Sequence, residues 1–306
     1  MNFQHLTTFC TVISEGSMTA AAEKLYLTQP AVSQQIRNLE DELEVELLQR
    51  GSRQAKPTAQ GQILYDYAKR ILALSQQAQL AIQTMNIEVE GTFRIGTLNS
   101  LGLYVISPII GLFLKHNSKL AVQLTYANGQ ELIQSFEKGD LDIMILPDAQ
   151  VEYGREPKNA QKKLLLQDEM WLIGSGKDAQ LPEDIEVQDL ALKPFVKIME
   201  RFPNFEKVLA KALEKEGVSL QTVFETVNVG TLKRVLESGL GWGFLPAHSI
   251  RKHVRTGRLN AVPVSDFSYQ MNVYYYFRET LLDENAKRMT EVFYKALTQY
   301  VQSQNK

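Results

Sequence analysis

The sequence predicts a multidomain α+β protein: a helical N-terminal region, one long helix, and an α/β region built of two lobes. Three observations predict this order. Apolar residues recur at helical spacing through residues 1–43, a narrow apolar stripe runs along residues 58–88, and short apolar strands alternate with helices after Gly91. The chain has 306 residues, which is enough for about two domains with cores of their own.

Composition and charge exclude several classes of protein. The 33 Lys and Arg residues nearly balance the 35 Asp and Glu residues, which argues against a polybasic coat protein or a membrane-surface protein. A single cysteine, Cys10, excludes an intrachain disulfide, and we expect it to be a small buried residue. The N-terminus lacks the pattern of a secretion signal and no apolar run reaches about 18 residues, so a cytoplasmic protein is expected.

The first three helices have clear local signals. Gly16 suits the end of the first helix, and Ser17 or Thr19 can cap the second. Thr28 is a good cap for the third, and Pro30 is tolerated in its first turn because its missing N–H would be unpaired there. Two short helices joined by a tight turn predict a helix-turn-helix, whose second helix enters the major groove of DNA.

The polar face of the third helix carries side chains suited to reading DNA bases. Gln29, Ser33 and Gln34 can hydrogen-bond base edges. Pro30 and Ala31 offer small apolar surfaces to a thymine methyl group. The alternative is a generic three-helix bundle with a solvated polar face, in which these side chains would contact only water.

Residues 47–58 break the helical period and predict a hairpin with a basic tip. Arg50, Arg53 and Lys56 would lie beside the third helix and reach phosphates or the minor groove. The acidic residues are concentrated just before this segment, at Glu40–Glu46, where we expect a solvated face on the side away from DNA. The near-neutral total charge is therefore compatible with DNA binding through a few placed contacts.

A long helix follows from Thr58 to about Glu88. Its apolar stripe has heptad spacing, which is typical of a helix that pairs with a second copy of the chain. The stripe consists of Leu64, Ala68, Ile71, Ser75, Ala78, Ile82 and Met85. The alternative is that the helix packs only on its own domain.

After Gly91 the sequence predicts two α/β blocks that form linked lobes with a cleft between them. The first block has strands at Phe93–Gly96, Ala121–Thr125 and Leu141–Leu146, and helices at Leu101–His116 and Gln130–Lys138. The second has strands near Leu164–Ile173, Phe195–Ile198, Thr222–Val227, Gly243–Leu245, Ala261–Val264 and Met271–Phe277, and helices near Pro203–Glu216, Gly230–Ser238 and Asp283–Val301. This alternation favours parallel sheets with both faces covered.

Several of these segments resemble the LysR-type transcriptional regulators. The run GSMTAAAEKLYLTQPAVSQQIRNLE at residues 16–40 carries the resemblance most specifically. It continues through Arg50, Arg53, Lys56, Thr58 and Gly61, and resumes as FRIG at 93–96, GDLD at 139–142 and GLGWGFLP at 239–246. The chain departs from the family pattern at Leu48-Gln49 and Pro57, which are not recognition positions.

The resemblance implies a winged helix-turn-helix at 1–58, a linker and dimerisation helix at 59–88, and an effector-binding domain at 91–306. That domain resembles periplasmic binding proteins, with lobe I at about 91–162 and 268–306 and lobe II at about 163–267. The usual assembly in the family is a dimer of dimers on promoter DNA, and RNA polymerase is a further expected partner. The DNA-binding positions that match the family are Thr28, Gln29, Pro30, Ala31, Ser33, Gln34, Arg50, Arg53, Lys56 and Thr58.

The effector is expected in the cleft, where strand ends meet helix starts. Backbone N–H groups at the starts of these helices suit an anion, so an anionic small molecule is expected. The family often has a hydroxyl residue where Gly129 stands. Arg201 could bind the anion or pair instead with Glu200 or Glu206 on the surface, and Trp242 is either a pocket wall or a core residue. The candidate effector-binding residues are Asn99, Ser100, Asn128, Gly129, Arg201, Phe202 and Thr231.

Enzyme, metal and cofactor chemistry find no support in the sequence. His248 and His253 lie five apart without a third ligand nearby and are expected to be a surface pair. Ser175 does not lie in a nucleophile-elbow pattern. We therefore expect a regulator with no catalytic residues, no metal and no cofactor other than the effector. The alternatives are a cytoplasmic solute-binding protein with a dimerisation module, or an enzyme on the same two-lobed fold.

Overall fold

The computed structural model describes residues 1–49, 55–84, 89–115, 117, 119–178, 182–200, 202–278 and 283–304. The chain divides into two compact units. The N-terminal unit is Met1–Asn86 with Ser303–Lys306, and the C-terminal unit is Ile87–Gln302. Within the described part of the chain, no helix combines the length and the apolar character needed to cross a membrane.

The N-terminal unit contains α1 (Phe3–Glu15), α2 (Met18–Leu25), α3 (Gln29–Leu43) and α4 (Ala59–Thr84). The starts of the first three helices are capped by the side chains of Asn2, Ser17 and Thr28, which satisfy backbone N–H groups that the helix leaves unpaired. Gly16 ends α1 at a φ of 64°, a left-handed conformation that favours glycine. The three predicted helices and their caps at Ser17 and Thr28 are present.

One apolar cluster holds this unit together. It is formed by buried side chains from all four helices and the segment after α3, namely Leu6, Phe9, Val12, Ala21, Ala22, Val32, Ile36, Leu39, Leu47, Leu48, Tyr65 and Ala68. Cys10 is partly buried and packs against the cluster. Gly61 on α4 lies so close to this segment that an added Cβ would be 2.0 Å from the carbonyl oxygen of Leu47.

The stripe predicted along α4 is turned partly toward its own unit. Ala68 is fully buried in the N-terminal core, and Leu64 and Ile71 pack against that core. Leu64 and Ile71 are only partly buried and Ala78 is exposed, so the pairing of this stripe with a second copy of the chain stays a prediction. The side chain of Ile82 and the whole of Met85 lie outside the described residues. Three other apolar side chains of α4 are exposed, at Ile63, Tyr67 and Leu74.

The C-terminal unit contains nine described strands. They are β1 (Gly91–Thr97), β2 (Leu120–Tyr126), β3 (Ile143–Pro147), β4 (Gln161–Ser175), β5 (Pro194–Ile198), β6 (Gln221–Thr226), β7 (Gly243–Pro246), β8 (Leu259–Val262) and β9 (Gln270–Phe277). Its described α-helices are α5 (Asn99–Leu101), α6 (Ser107–Lys115), α7 (Gly129–Lys138), α8 (Ala149–Tyr153), α9 (Pro203–Lys215), α10 (Val229–Glu237), α11 (Ala247–Arg255) and α12 (Glu284–Gln304). A 3₁₀ turn covers Val187–Leu192.

The sheet is mixed rather than purely parallel as the sequence predicted. Its strand order is β2-β1-β3-β9-β4-β7, with β8 also paired to β4, and β5 and β6 form a separate parallel pair. Strand β4 pairs antiparallel with β9 along Gln161–Glu169 and with β7 and β8 along Met170–Ser175. The 15-residue β4 thus joins the lobe of β1–β3 (lobe I) to the lobe of β5–β8 (lobe II).

The helix predicted over Leu101–His116 is divided into three segments. A short turn of α-helix, α5, leads into a π-helical turn at Gly102–Ile106 before α6 begins. An added Cβ on Gly102 would lie 2.1 Å from the ring of Tyr126, so glycine lets the end of β2 pack directly on this turn. Each lobe has its own core, around Phe93, Phe113 and Phe293 in lobe I and around Val196, Leu232 and Leu245 in lobe II.

Candidate DNA-binding surface and interlobe cleft

The start of α3 presents a polar surface on a rigid support. Thr28 Oγ1 accepts from the backbone N–H of Ala31 at 3.4 Å, which fixes the first helical turn. Thr28, Gln29, Pro30 and Gln34 are exposed. Val32, Ile36 and Leu39 on the opposite side are buried in the N-terminal core. The predicted recognition face is therefore directed to solvent while the rest of the helix is held by the core.

The remaining recognition positions are partly covered. Ala31 and Ser33 are half-buried at the edge of the same face. The side chain of Gln34 donates to Asn38 Oδ1 at 2.8 Å, one turn further along α3. This bond orders the Gln34 amide along the helix surface.

The base of the predicted hairpin is present. Leu48 and Pro57 form an antiparallel bridge, and the backbone N–H of Gln49 donates to the carbonyl of Lys56 at 2.9 Å. Lys56 is exposed. Arg50 and Arg53, the other basic positions of the hairpin, lie outside the described residues.

Thr58 has a structural task in this unit. Its hydroxyl donates to the carbonyl of Glu46 at 2.7 Å and accepts from the backbone N–H of Gly61 at 2.9 Å, which caps α4. A DNA contact from Thr58 would have to compete with these bonds, because its backbone N–H also donates, to the carbonyl of Leu47 at 2.9 Å. The resemblance implied a DNA contact from Thr58, and the cap was not predicted.

The acidic run at the end of α3 and just beyond it is not simply a solvated face. Glu40 Oε1 accepts from the backbone N–H groups of Leu47 and Leu48 at 2.7 and 3.3 Å, and so ties the end of α3 to the hairpin. Glu42 pairs with the N-terminal ammonium group. The expectation of a solvated face is therefore wrong for Glu40, whose partners lie too far along the chain to be read from local pattern.

A cleft of about 590 Å³ lies between the two lobes of the C-terminal unit. Its described lining comes from the ends of β1 and β2 in lobe I and from the segments after β5 and β6 in lobe II. The lining residues are Leu98, Asn99, Tyr126, Ala127, Asn128, Glu131, Met199, Glu200 and Val227. Of the predicted effector-binding residues, Asn99 and Asn128 line this cleft, and Ser100 is fully buried directly behind it.

Two other predicted effector positions lie elsewhere. Phe202 is buried in lobe II, where it lines a second, mostly apolar pocket of about 210 Å³ beneath α9 that shares Glu200 with the cleft. Thr231 is exposed, and its backbone N–H donates to Asn228 Oδ1 at 2.9 Å in the cap of α10. Trp242 is buried and hydrogen-bonded through its backbone to Pro194 and Val196, which makes it a core residue. Arg201 lies outside the described residues.

Glu200 joins the lobes at the inner end of the cleft. Its Oε1 accepts from the backbone N–H of Ser100 at 2.8 Å, and both residues are buried. Burial raises the pKa of Glu200, while the Ser100 hydrogen bond and nearby His248 act in the opposite direction. The sequence singled out Arg201 at this corner, and only its place after a strand could have drawn attention to Glu200.

A second buried carboxylate joins the lobes in the opposite sense, from lobe I to a backbone N–H of lobe II. Glu152 of lobe I accepts from the backbone N–H of Asn204 at 3.0 Å, at the start of α9 in lobe II, and from the hydroxyl of Tyr269. Phe202, the residue at the cap position of α9, has no side-chain acceptor to offer. Burial raises the pKa of Glu152. Each lobe thus supplies a carboxylate to a backbone N–H of the other lobe.

His248 is buried rather than part of a surface pair. Only 4 % of its side chain is exposed, and Nδ1 lies 2.6 Å from Asp168 Oδ2. Its backbone N–H also donates to Asp168, at 3.1 Å. The expectation of a surface pair is wrong for His248 because Asp168, 80 positions earlier in the chain, supplies its partner from β4. His253 is partly buried, and burial lowers its pKa.

Lys233 is a third point of contact between the lobes. Its Nζ donates to the carbonyl of Ser249 at 2.9 Å and lies 3.7 Å from the ring centre of Tyr104 in lobe I. The side chain is almost fully buried, and burial lowers the pKa of Lys233 to about 8. Among the described residues, no carboxylate lies within ion-pair distance of this lysine.

Tyr153 occupies the space beside Gly129. A Cβ added at Gly129 would lie 2.0 Å from the Tyr153 ring and 2.4 Å from its hydroxyl oxygen. The hydroxyl of Tyr153 is itself buried and has no hydrogen-bond partner among the described residues. The ring and hydroxyl of Tyr153 therefore fill the space that a side chain at position 129 would occupy.

Among the described residues, no group of three or more His, Cys, Asp or Glu side chains is placed to hold a metal ion. The clusters around Glu200 and Glu152 instead pair acidic side chains with backbone N–H groups and hydroxyls. These hydrogen bonds hold the two lobes together.

Comparison with known proteins gives the family. A model described as "Bacterial regulatory helix-turn-helix protein, lysR family" matches residues 3–62, and one described as "LysR substrate binding domain" matches residues 86–298. A protein of Cyanidioschyzon merolae named "Probable RuBisCO transcriptional regulator" is 30 % identical over 278 residues, covering 88 % of this chain and 89 % of its own. A protein of the same name from Porphyra purpurea is 31 % identical over 255 residues, covering 80 % and 78 %.

Solved structures share the fold. Full-length BenM matches with a TM-score of 0.54 at 23 % identity, covering 100 % of this chain and 98 % of its own. DarR of Vibrio fischeri, solved in complex with DNA, matches with a TM-score of 0.54 at 19 % identity, covering 97 % and 99 %. At these identities the likeness is one of fold, and it extends over both units of the chain.

Proposed function

The chain belongs to the LysR family of bacterial regulatory proteins, and we propose that it is a sequence-specific DNA-binding regulator of transcription whose activity a small molecule controls. The observation that carries this proposal is the start of α3. A capped, core-supported helix presents short polar side chains to solvent at its first turns, as a major-groove reader requires. The protein acts on DNA in the cytoplasm and is not an enzyme.

Recognition combines base contacts with backbone contacts. Gln29, Ser33 and Gln34 hydrogen-bond base edges, and Pro30 and Ala31 contact thymine methyl groups. Thr28 and Thr58 hold the DNA backbone, while Arg50, Arg53 and Lys56 of the hairpin reach phosphates or the adjacent minor groove.

Oligomerisation multiplies these contacts. The exposed apolar side chains Ile63, Tyr67 and Leu74 lie at spacings of four and seven along α4, which places them on one face of the helix. We propose that this face, which lies beside the predicted heptad stripe, pairs with α4 of a second chain. Two such dimers assemble on an interrupted palindrome, and the assembly contacts RNA polymerase.

The effector binds in the cleft between the lobes. Asn99, Asn128 and the buried Ser100 form its lobe I wall, close to the contact with Glu200 of lobe II. A ligand that favours one relative position of the lobes shifts the population of regulator conformations, and this changes how the recognition helices meet DNA. The effector is the only small molecule required, without a metal or other cofactor.

Ser100→Ala tests the location of the effector site. We expect the variant to lose its response to effector while it keeps operator binding, because the change removes a buried hydroxyl that interacts with Glu200 directly behind the cleft and leaves the N-terminal unit intact. The measurement is a transcription reporter carrying the DNA upstream of this chain's gene, read across defined growth media in cells that lack the native copy. Electrophoretic mobility shifts on the same DNA report binding.

Thr231→Ala is the matched control, since this exposed hydroxyl lies outside the described cleft lining. It should respond to the media as the wild type does. A Ser100→Ala protein with the wild-type dependence on medium would contradict the placement of the effector. If the wild-type protein bound none of the upstream fragments, the proposed function itself would be contradicted.

A further inference from the structure

The cleft between the lobes has an unusual charge for a site that was expected to bind an anion. Among its described lining residues the charged side chains are Glu131 and Glu200, and both are acidic. Glu131 is exposed at the start of α7. Like charges brought into contact destabilise a complex, so this lining disfavours a carboxylate or phosphate ligand.

The backbone group best placed for an anion is already in use. The N–H of Ser100 donates to Glu200 Oε1 at 2.8 Å, and Ser100 is fully buried. The chain's own carboxylate therefore occupies the position where the carboxylate of an effector was expected. An anionic ligand would have to displace Glu200 and leave it buried without that hydrogen bond, which costs free energy.

The buried polar atoms that have no hydrogen-bond partner indicate which chemical groups a ligand of the cleft would need. Around the Ser100–Glu200 contact, Glu200 Oε2 and Asn99 Oδ1 are buried acceptors without a hydrogen-bond partner in the described structure. The hydroxyl of Tyr153 is also buried and unpartnered among the described residues, and a hydroxyl can accept as well as donate, whereas the Ser100 hydroxyl interacts with the Glu200 carboxylate. Buried polar atoms are normally hydrogen-bonded, and two of these acceptors, Asn99 Oδ1 and Glu200 Oε2, belong to residues that line the cleft, which indicates a ligand position there.

We infer that the cleft takes a small neutral or positively charged molecule whose hydroxyl or amino groups donate hydrogen bonds, and that Glu200 determines this specificity by keeping anions from the Ser100 N–H. The inference rests on the proposed function, in which the cleft binds the effector. It replaces the anionic ligand expected from the sequence with a ligand matched to acceptors. Glu200 is a specificity-determining residue in this arrangement, and its bond to Ser100 also holds the lobes together.

The test compares three probes of equal carbon count on the full-length chain: erythritol, putrescine and succinate. Unfolding of the C-terminal unit is followed by fluorescence of Trp171 and Trp242, the two tryptophans of the chain. Each probe is titrated against wild type, Glu200→Gln and Glu200→Ala. Glu214→Gln is the matched control, because it removes the same charge from an exposed position on α9.

We expect erythritol or putrescine to raise the Tm of the wild type and of Glu214→Gln, and succinate to leave both unchanged. Stabilisation by erythritol would identify hydroxyl donors, and stabilisation by putrescine would identify amino donors. In both Glu200 variants we expect the donor probe to lose affinity and succinate to gain at least roughly tenfold, since a repelling charge has been removed.

Two results would overturn the inference. One is that succinate raises the Tm of the wild type as much as it raises the Tm of the Glu200 variants. The other is that neither erythritol nor putrescine raises the Tm of the wild type more than it raises the Tm of the Glu200 variants. Operator binding is measured in parallel on every protein: if it persists, the ligand class is wrong while the proposed function stands, and if the wild type binds no operator, the proposed function fails independently.

Discussion

Individual side chains fall into two groups according to where their partners lie in the chain. The caps at Ser17 and Thr28 were predicted because a cap and the N–H that it accepts are three positions apart. The carboxylates of Glu152 and Glu200 were missed, since the N–H groups that they accept lie 52 and 100 positions away. Local pattern contains the first kind of contact, whereas the second exists only once the lobes are assembled.

Gln29→Ala tests base recognition at the first turn of α3. We expect specific operator binding to weaken by about 1–3 kcal/mol, because a bidentate contact to a base is lost, with binding to random DNA unchanged. Fluorescence anisotropy on operator and scrambled duplexes measures both. Gln4→Ala, which removes an exposed glutamine from α1, is the control and should bind as the wild type does. Equal discrimination by Gln29→Ala and the wild type would remove Gln29 from the set of base-reading residues.

Lys233→Met tests the cost of burying a lysine in lobe II. The pKa of Lys233 is about 8 in the folded protein, against an ordinary value of 10.5. Between these values the unfolded chain binds more protons than the folded chain, so wild-type stability should rise with pH through this window. We expect Lys233→Met to lack this rise, because methionine does not titrate.

The measurement for Lys233 is urea unfolding followed by tryptophan fluorescence at pH values below 8 and near 10.5. The free energy of unfolding of the wild type is compared with that of the variant at each pH, so that other titrating groups cancel. Lys211→Met, which removes an exposed lysine from α9, is the control and should keep the wild-type pH dependence. A parallel pH dependence in the wild type and in Lys233→Met would show that Lys233 remains charged when buried.

At the scale of elements, periodicity and caps predicted most helices, but not their interruptions or the direction of every strand. The helix expected over 101–116 contains a π turn at Gly102–Ile106, where the ring of Tyr126 packs against Gly102. The sheet was expected to be parallel, whereas β9 returns from lobe II and runs antiparallel to β3 and β4. Both features depend on residues distant in sequence, which local periodicity does not encode.

Gly61→Ala tests how α4 packs on the segment after α3. An added Cβ would meet the carbonyl oxygen of Leu47 at 2.0 Å, so backbone must shift, and we expect a loss of about 1–3 kcal/mol in the stability of the N-terminal unit. Hydrogen exchange across residues 1–49 measures this loss. Gly111→Ala is the control, since its Cβ would enter open space on α6 and alanine favours a helix. Equal protection in both variants would contradict the close packing.

At the scale of the whole molecule, the candidate DNA-binding surface and the candidate effector cleft belong to different units. The N-terminal unit holds the polar face of α3 and the exposed apolar face of α4, and the C-terminal unit holds the cleft. The family and the order of the domains could be predicted from the run at residues 16–40 and from the later motifs. The chemistry of the cleft could not, because Glu200 meets Ser100, and Tyr153 meets Gly129, from different elements.

The near-neutral charge of the chain has a consequence for DNA binding. With 33 basic and 35 acidic residues, we expect weak non-specific attraction to DNA, and an affinity that comes from placed contacts repeated in the proposed oligomer. Such a protein should therefore discriminate strongly between an operator and random sequence.

Selection of bound duplexes from a random-sequence pool by the purified full-length chain tests sequence-specific DNA recognition most directly. We predict enrichment of an interrupted palindrome, with half-sites whose centres are separated by whole helical turns of about 10 base pairs. Selection with Gln29→Ala should relax the preference at the same position of each half-site. Recovery of a pool with no enriched sequence would contradict the assignment of this chain as a sequence-specific regulator.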